Sequence, residues 1–125
     1  MEIKILQTEE VPKAVQLARG VFEYCLRNTI NEAQLIESFY TYVREENIRQ
    51  LMETQKLTIW AAYDEQNNMV AVSGMQSEGH ITLLYVMPYY QRRGYGKKLL
   101  LTMREYAREK LGLVLPDDIK FDITD

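Results

Sequence analysis

The chain has 125 residues, 46% hydrophobic and 26% charged, which suffices for one domain spanning residues 1–125 with its own core and excludes two. Cys25 is the only cysteine and His80 the only histidine, so an internal disulfide and a Cys/His zinc cluster are excluded and no metal is expected. The net charge of −3 argues against general nucleic-acid binding, but it is uneven: residues 1–87 carry −5, residues 88–112 carry +5 and the remainder −3, so one basic segment is set in an acidic protein.

The opening Met1-Glu2-Ile3-Lys4 lacks a basic and then apolar leader pattern. No apolar run nears the roughly 20 residues that span a bilayer, and a reducing, cytoplasmic setting without a membrane partner is expected. Glu2 to Leu6 alternates polar and apolar residues as a short strand does. Thr8 with Glu9-Glu10 marks a helix start, with Pro12 in the first turn. Val11, Ala14, Val15, Ala18, Val21, Phe22 and Cys25 recur at three- and four-residue steps, the pattern of one apolar helix face. Cys25 on that face reads as core rather than nucleophile.

A second helical stretch begins near Asn31 with Leu35, Ile36, Phe39 and Val43, then breaks and resumes with Ile48, Leu51 and Met52. Two helices are thus expected before the main run of strands. Thr58 to Tyr63 and Met69 to Met75 are β-rich runs around the turn Glu65-Gln66-Asn67-Asn68, which predicts a hairpin. After the turn Ser77-Glu78-Gly79, His80 to Met87 reads as a third adjoining strand. Its continuous apolar stretch Leu83-Leu84-Tyr85-Val86-Met87 suits a central strand covered on both faces. Leu99, Leu100, Met103, Tyr106, Ala107 and Leu111 mark a further helix, and Ile119, Phe121 and Ile123 alternate as a final strand. The expected order is β-α-α-β-β-β-α-β, an α/β sandwich with a mixed sheet whose last crossover pairs two strands in parallel.

The segment that carries chemistry runs Tyr85-Val86-Met87-Pro88-Tyr89-Tyr90-Gln91-Arg92-Arg93-Gly94-Tyr95-Gly96-Lys97-Lys98. A buried strand, a loop with two glycines and four cations, and a helix start form phosphate-binding architecture, because helix N-termini present unpaired N–H groups and glycine lets an anion approach the backbone. A Walker loop is excluded: it requires Gly where Gln91 stands and Ser or Thr where Lys98 stands. A dinucleotide fingerprint requires a third Gly where Leu99 stands. Gly94 and Gly96 alone also suit a plain tight turn.

With its flanks, the segment resembles the acetyl-CoA motif of the GNAT N-acetyltransferase superfamily, Gln/Arg-x-x-Gly-x-Gly/Ala after an apolar strand that ends in x-Val-x-Pro. Gln91-Arg92-Arg93-Gly94-Tyr95-Gly96 matches at each specified position, and the order of elements fits from Met1 to Thr124. The resemblance implies that backbone amides of Arg92, Arg93, Gly94, Tyr95, Gly96 and Lys97 cradle the pyrophosphate of acetyl-CoA as cosubstrate, with Gln91 shaping the loop. It also implies that Val86 bonds the pantetheine arm through its main chain and that the Leu84 amide is the oxyanion donor to the thioester carbonyl. For Leu84 and Val86 ordinary sheet pairing is the alternative, and for Arg92 and Arg93 solvated loop charge.

Acetyl transfer needs a neutral amine. A lysine-like amine of pKa ~10.4 is neutral about once in 2500 molecules at pH 7, roughly 4.6 kcal/mol that a positioned base helps to offset. Some members of the resembled family place a Glu base early in this strand. The equivalent position here is His80, whose reference pKa of ~6.5 suits the task, with Glu78 a second candidate and a turn-end polar residue the alternative for both. Such proteins normally add a helix and a hairpin after the strand that Ile119 to Ile123 would form, and that helix often supplies a Tyr that protonates the thiolate. Here the sequence stops at Asp125, so no residue takes that role and the C-terminal helix and hairpin are expected to be absent. Either this is a minimal form or a piece of a longer chain, and its last edge strand calls for cover by a homodimer or by another segment.

Two classes of function follow from the resemblance. One is direct acetyl transfer to a primary amine of a small molecule or peptide, where the acidic first two thirds, including Glu23 and Glu37, favour a cationic acceptor. The other is a non-catalytic CoA- or acyl-CoA-binding or dimerisation module. A domain for a different phosphate ligand is a third reading that needs no resemblance.

Overall fold

Four strands make one sheet in the order β1-β2-β3-β4: β1 Glu2–Ile5, β2 Leu57–Tyr63, β3 Met69–Gln76 and β4 Ile81–Val86. The structure, a computed structural model, describes residues 1–29 and 31–116. A 3₁₀ turn at Thr8–Glu10 leads into α1 (Val11–Val21), which ends in a wider π turn at Phe22–Leu26. The start is held by the Gln7 N–H donating to Glu10 Oε1 at 3.3 Å, and Pro12 sits at the helix start, where its missing N–H costs nothing.

The second helical stretch is two helices, α2 (Ala33–Tyr42) and α3 (Glu45–Glu53), so three helices rather than two precede β2. The break falls where Val43 and Arg44 leave the helical region. It is pinned by Arg19 of α1, whose Nε donates to Val43 O at 2.9 Å. After β4 come a 3₁₀ turn (Pro88–Tyr90), α4 (Tyr95–Tyr106) and a second π turn (Ala107–Leu111).

The sheet is covered on both faces. Leu57, Ile59, Ala61, Tyr63, Val72, Leu83 and Tyr85 pack against α1 to α3. Trp60, Ala62, Val70, Met75, Leu84 and Val86 pack against Leu99, Met103 and Ala107 of α4 and its π turn. Leu99 and Met103 are fully buried, each contributing about 1.5–3 kcal/mol relative to exposure. Alternation along β4 therefore feeds two cores, which explains its continuous apolar sequence.

One expectation changes, and two turn on a segment beyond the described residues. The third strand is shorter than His80 to Met87 at both ends. Among the described residues β4 closes the sheet order rather than lying at its centre, and every pairing is antiparallel. The neighbour that would centre it and supply a parallel pair was read at Ile119 to Ile123, outside the described residues.

Candidate active site

Alternation of hydrogen bonding along β4 decides which main-chain groups turn toward β3 and which turn away from it. The Met87 N–H donates to Val70 O at 2.9 Å, and Tyr85 and Leu83 lie opposite Val72 and Gly74. These residues use their main-chain groups on β3, so those of Leu84 and Val86 turn to the other edge of the strand. Val86 O there accepts a bond from Gln91 Nε2 at 2.9 Å. The same Nε2 lies 3.4 Å from Cys25 Sγ, which places the half-buried thiol against the loop as well as against the core.

The loop itself is bent by two left-handed residues, Arg92 (φ 62°) and Gly94 (φ 88°). Glycine holds the second position because L side chains rarely adopt that φ, and the space where a Cβ would stand is open, with no atom within 4 Å. Helical bonding in α4 begins at the Lys98 N–H to Gly94 O, 3.0 Å, so the backbone of Tyr95, Gly96 and Lys97 forms the helix's N-terminal turn. Gly96 is buried against the sheet while Arg92, Arg93, Lys97 and Lys98 are exposed. Open space over a glycine, a helix N-terminus and exposed cations fit a pyrophosphate.

Aromatic packing stiffens this loop. Tyr90 stands edge-on to Tyr89 and Tyr95, with ring centroids 5.2 and 5.7 Å away, and the Arg93 guanidinium lies 4.5 Å over the Tyr89 ring. The Tyr90 hydroxyl donates to Asp64 Oδ2 at 2.9 Å, a brace from the β2–β3 turn that sequence reasoning missed. Its only sequence signal was Asp64 at the head of a polar turn, where a carboxylate accepts the N–H groups of Gln66 and Asn68. The Asn68 N–H is the main cause that holds the Asp64 carboxyl below its usual range, opposed by partial desolvation and aided by Tyr90. The bond to Asp64 in turn raises the Tyr90 phenol, with desolvation second.

At the other end of β4 the register slips. Leu83 faces Gly74 and Ile81 faces Met75, leaving Thr82 as an extra residue with no opposite. Such a bulge re-aims side chains: the Thr82 hydroxyl is 3.0 Å from the Tyr42 hydroxyl of α2, and Leu83 fills the space over Gly74. A Cβ on Gly74 would meet Leu83 Cδ1 at 3.0 Å. No pattern in the sequence announced Thr82 or Tyr42.

Between α2 and the bulged start of β4 lies a cavity of about 1040 Å³ whose lining includes Glu37, Phe39, Tyr42, His80, Thr82 and Tyr85. The structure thus brings His80 to a cavity on β4, exposed, with its carbonyl accepting the Gln76 N–H at 2.8 Å. Glu78 lies within hydrogen-bond reach of the Ser77 hydroxyl, 3.4 Å away, and does not line the cavity. Glu23 is engaged by Arg27 at 3.2 Å and is also absent from the lining, whereas Glu37 is present. Tyr85 is buried, and desolvation pushes its phenol up to about 12. Among the described residues no three His, Cys, Asp or Glu side chains gather as a metal site requires, and no helix is long and apolar enough to cross a membrane.

Comparison with known proteins accords with this geometry. No curated protein sequence matches the chain. Among solved structures it is similar to the PaiA N-acetyltransferase of Thermoplasma acidophilum in complex with coenzyme A, with 19% identity, a TM-score of 0.71, and 88% of this chain and 74% of that one covered. A predicted acetyltransferase from Clostridium acetobutylicum with acetyl-CoA aligns at 13% identity and a TM-score of 0.64, covering 96% and 94%. An aminoglycoside antibiotic 6'-N-acetyltransferase from Acinetobacter haemolyticus aligns at 12% identity and a TM-score of 0.59, covering 97% and 96%. These likenesses carry the fold. The model of the acetyltransferase (GNAT) domain matches residues 26–115, from the end of α1 through the β4 bulge, the glycine loop and α4, and the chain belongs to that family.

Proposed function

We propose that the chain transfers an acetyl group from acetyl-CoA, the cosubstrate of its family, directly to a primary amine held in the cavity between α2 and β4. The observation that carries this reading is the geometry of β4. One strand leads at its end into the open, left-handed Gly94 loop and presents His80 at its start to a cavity large enough for a small acceptor.

In this reading the amides from Arg92 to Lys97 hold the pyrophosphate, Gln91 keeps the loop against Val86, and the Val86 main chain takes the pantetheine arm. His80 accepts a proton from the ammonium form of the acceptor. The neutral amine attacks the thioester carbonyl carbon, a C–N bond forms, and the Leu84 N–H donates to the oxygen as it gains charge. Collapse breaks the C–S bond. Of the two protons the nitrogen loses, one leaves to solvent through His80 and one ends on the CoA thiol. Cys25 takes no part as a relay, because its thiol faces Gln91 and the core rather than the cavity. A reducing, cytoplasmic setting suits its free thiol.

Calorimetric titration with acetyl-CoA, with ADP alongside at the same salt, followed by thiol release in the presence of amines, tests the reading. Micromolar acetyl-CoA binding that ADP reproduces poorly, with amine-dependent thiol release, supports it. Binding without release under any amine would reduce the chain to a CoA-binding module, and no binding would overturn both.

A further inference from the structure

The cavity between α2 and β4 is aromatic on one wall, and its described lining carries almost no net charge. Phe39 meets Tyr85 edge to face with centroids 5.8 Å apart, and Phe39 is itself stacked on Phe22 at 3.9 Å and 8°, so the wall is a fixed surface rather than a loose side chain. Leu35, 53% exposed, extends the apolar area at the mouth. Among the described residues of the lining, Glu37 is the one carboxylate and the Arg44 guanidinium offsets it. Among the described residues Glu37 makes no hydrogen bond or ion pair, which is equally true of Glu46 and Glu53 on α3, whereas Glu23 is engaged by Arg27 and Glu45 by Arg49; of the unengaged three, Glu37 is the one that lines the cavity.

A polycation such as a polyamine or an aminoglycoside would bring several ammonium groups into this space and find, among the described lining residues, one carboxylate for them and one guanidinium of their own sign. Because the cavity is open and Glu37 exposed, the cost of each further ammonium is modest, and what separates the two acceptor types is the attraction each one finds in the lining. A single ammonium carried on a ring meets the opposite situation: one carboxylate answers one charge, and the ring has an aromatic wall to lie against. We infer that the acceptor is a monoamine on an aromatic body, an aryl-alkylamine, with its ammonium drawn in by Glu37 and its ring against Phe39 and Tyr85. This inference rests on the proposed acetyl transfer and names the acceptor class of that same cavity, narrowing to a monocation the cationic acceptor that the acidity of the N-terminal two thirds favours.

The test measures thiol release from acetyl-CoA with phenethylamine, butylamine and spermidine on the full chain, after acetyl-CoA binding has been established by calorimetry. The expected order of kcat/KM is phenethylamine first, at least tenfold above spermidine and above butylamine. Glu37→Gln, a change at an exposed position, is expected to raise the KM for phenethylamine about tenfold while leaving the KM for acetyl-CoA unchanged. Leu35→Glu, which adds a second carboxylate at the mouth, is expected to move the preference toward spermidine. Turnover that favours spermidine in the wild-type chain, indifference to Glu37→Gln, or acetyl-CoA binding with none of the amines acetylated would overturn the inference and leave donor binding standing. Absence of acetyl-CoA binding would overturn the transferase reading and this inference together.

Discussion

The Tyr90 hydroxyl donates to Asp64 Oδ2 at 2.9 Å, and through this bond the β2–β3 turn holds the loop that opens α4. Asp64 is already committed to the turn by the N–H groups of Gln66 and Asn68, so its position is fixed before Tyr90 arrives. Loop order is therefore borrowed from the hairpin, and the anion affinity proposed for the loop is expected to depend on residues more than twenty positions upstream.

Removing the donor tests this dependence. Tyr90→Phe keeps the ring against Tyr89 and Tyr95 but frees the loop from the turn, and the Kd for acetyl-CoA is expected to rise about 3- to 10-fold by calorimetry. The carboxyl of Asp64 titrates below its usual range in the fold, so the brace is complete above the unfolded value of about 3.9 and is lost as pH falls through the lower folded value. Between pH 6 and 8 the affinity lost in Tyr90→Phe should be constant. A loss that varied steeply over that interval would contradict the assignment to Asp64.

Gly94 is the position where an added side chain would enter the open space proposed for the pyrophosphate. Gly94→Glu places a side chain on a left-handed residue and a negative charge where the pyrophosphate is expected. Acetyl-CoA affinity should fall more than a hundredfold, while Gly94→Ala, strained by about 1 kcal/mol, should fall less. Equal binding by all three proteins would place the pyrophosphate elsewhere.

At the start of β4, His80→Ala should lower kcat by about 10²- to 10⁴-fold with the Kd for acetyl-CoA within twofold of the wild type. The rate of the variant should recover as pH rises toward the amine's own pKa, because the free amine then needs no base. A uniform loss at all pH values would point to a structural role for the turn instead.

Gly74→Ala probes the bulge. Its Cβ meets Leu83 Cδ1 at 3.0 Å, and the displaced Leu83 belongs to the core under α1 to α3. Urea denaturation should show a loss of about 1–3 kcal/mol, accompanied by slower transfer because Thr82 and His80 move with the strand. An unchanged midpoint would mean that Leu83 relaxes freely.

Tyr85 makes stability fall at high pH. Burial raises its phenol to about 12 from the ordinary 10.0. Its neutral form is the stable one in the fold, so the contribution is present below pH 10 and is lost as pH rises from 10 to about 12. The loss reaches roughly 2–3 kcal/mol. Tyr85→Phe should flatten the stability profile across that window when unfolding is followed by circular dichroism.

Local rules determined much of this protein. The three- and four-residue spacing of Val11 to Phe22 marks α1, the β-rich runs flanking a polar turn mark β2 and β3, and Gln91 to Gly96 marks the loop, because each signal lies within one element and is set by its own backbone chemistry. The family, too, was legible in that one contiguous segment. Tertiary structure decided what depends on two distant segments meeting. The Tyr42–Thr82 pair spans forty residues and Asp64–Tyr90 twenty-six, so neither leaves a periodicity. Thr82 becomes an extra residue only because Gly74 and Met75 of β3 pair with Leu83 and Ile81. Which carboxylate lines the cavity is decided the same way: Glu23 and Glu37 look alike in sequence, but Arg27 stands one turn after Glu23, while α2 turns Glu37 toward β4.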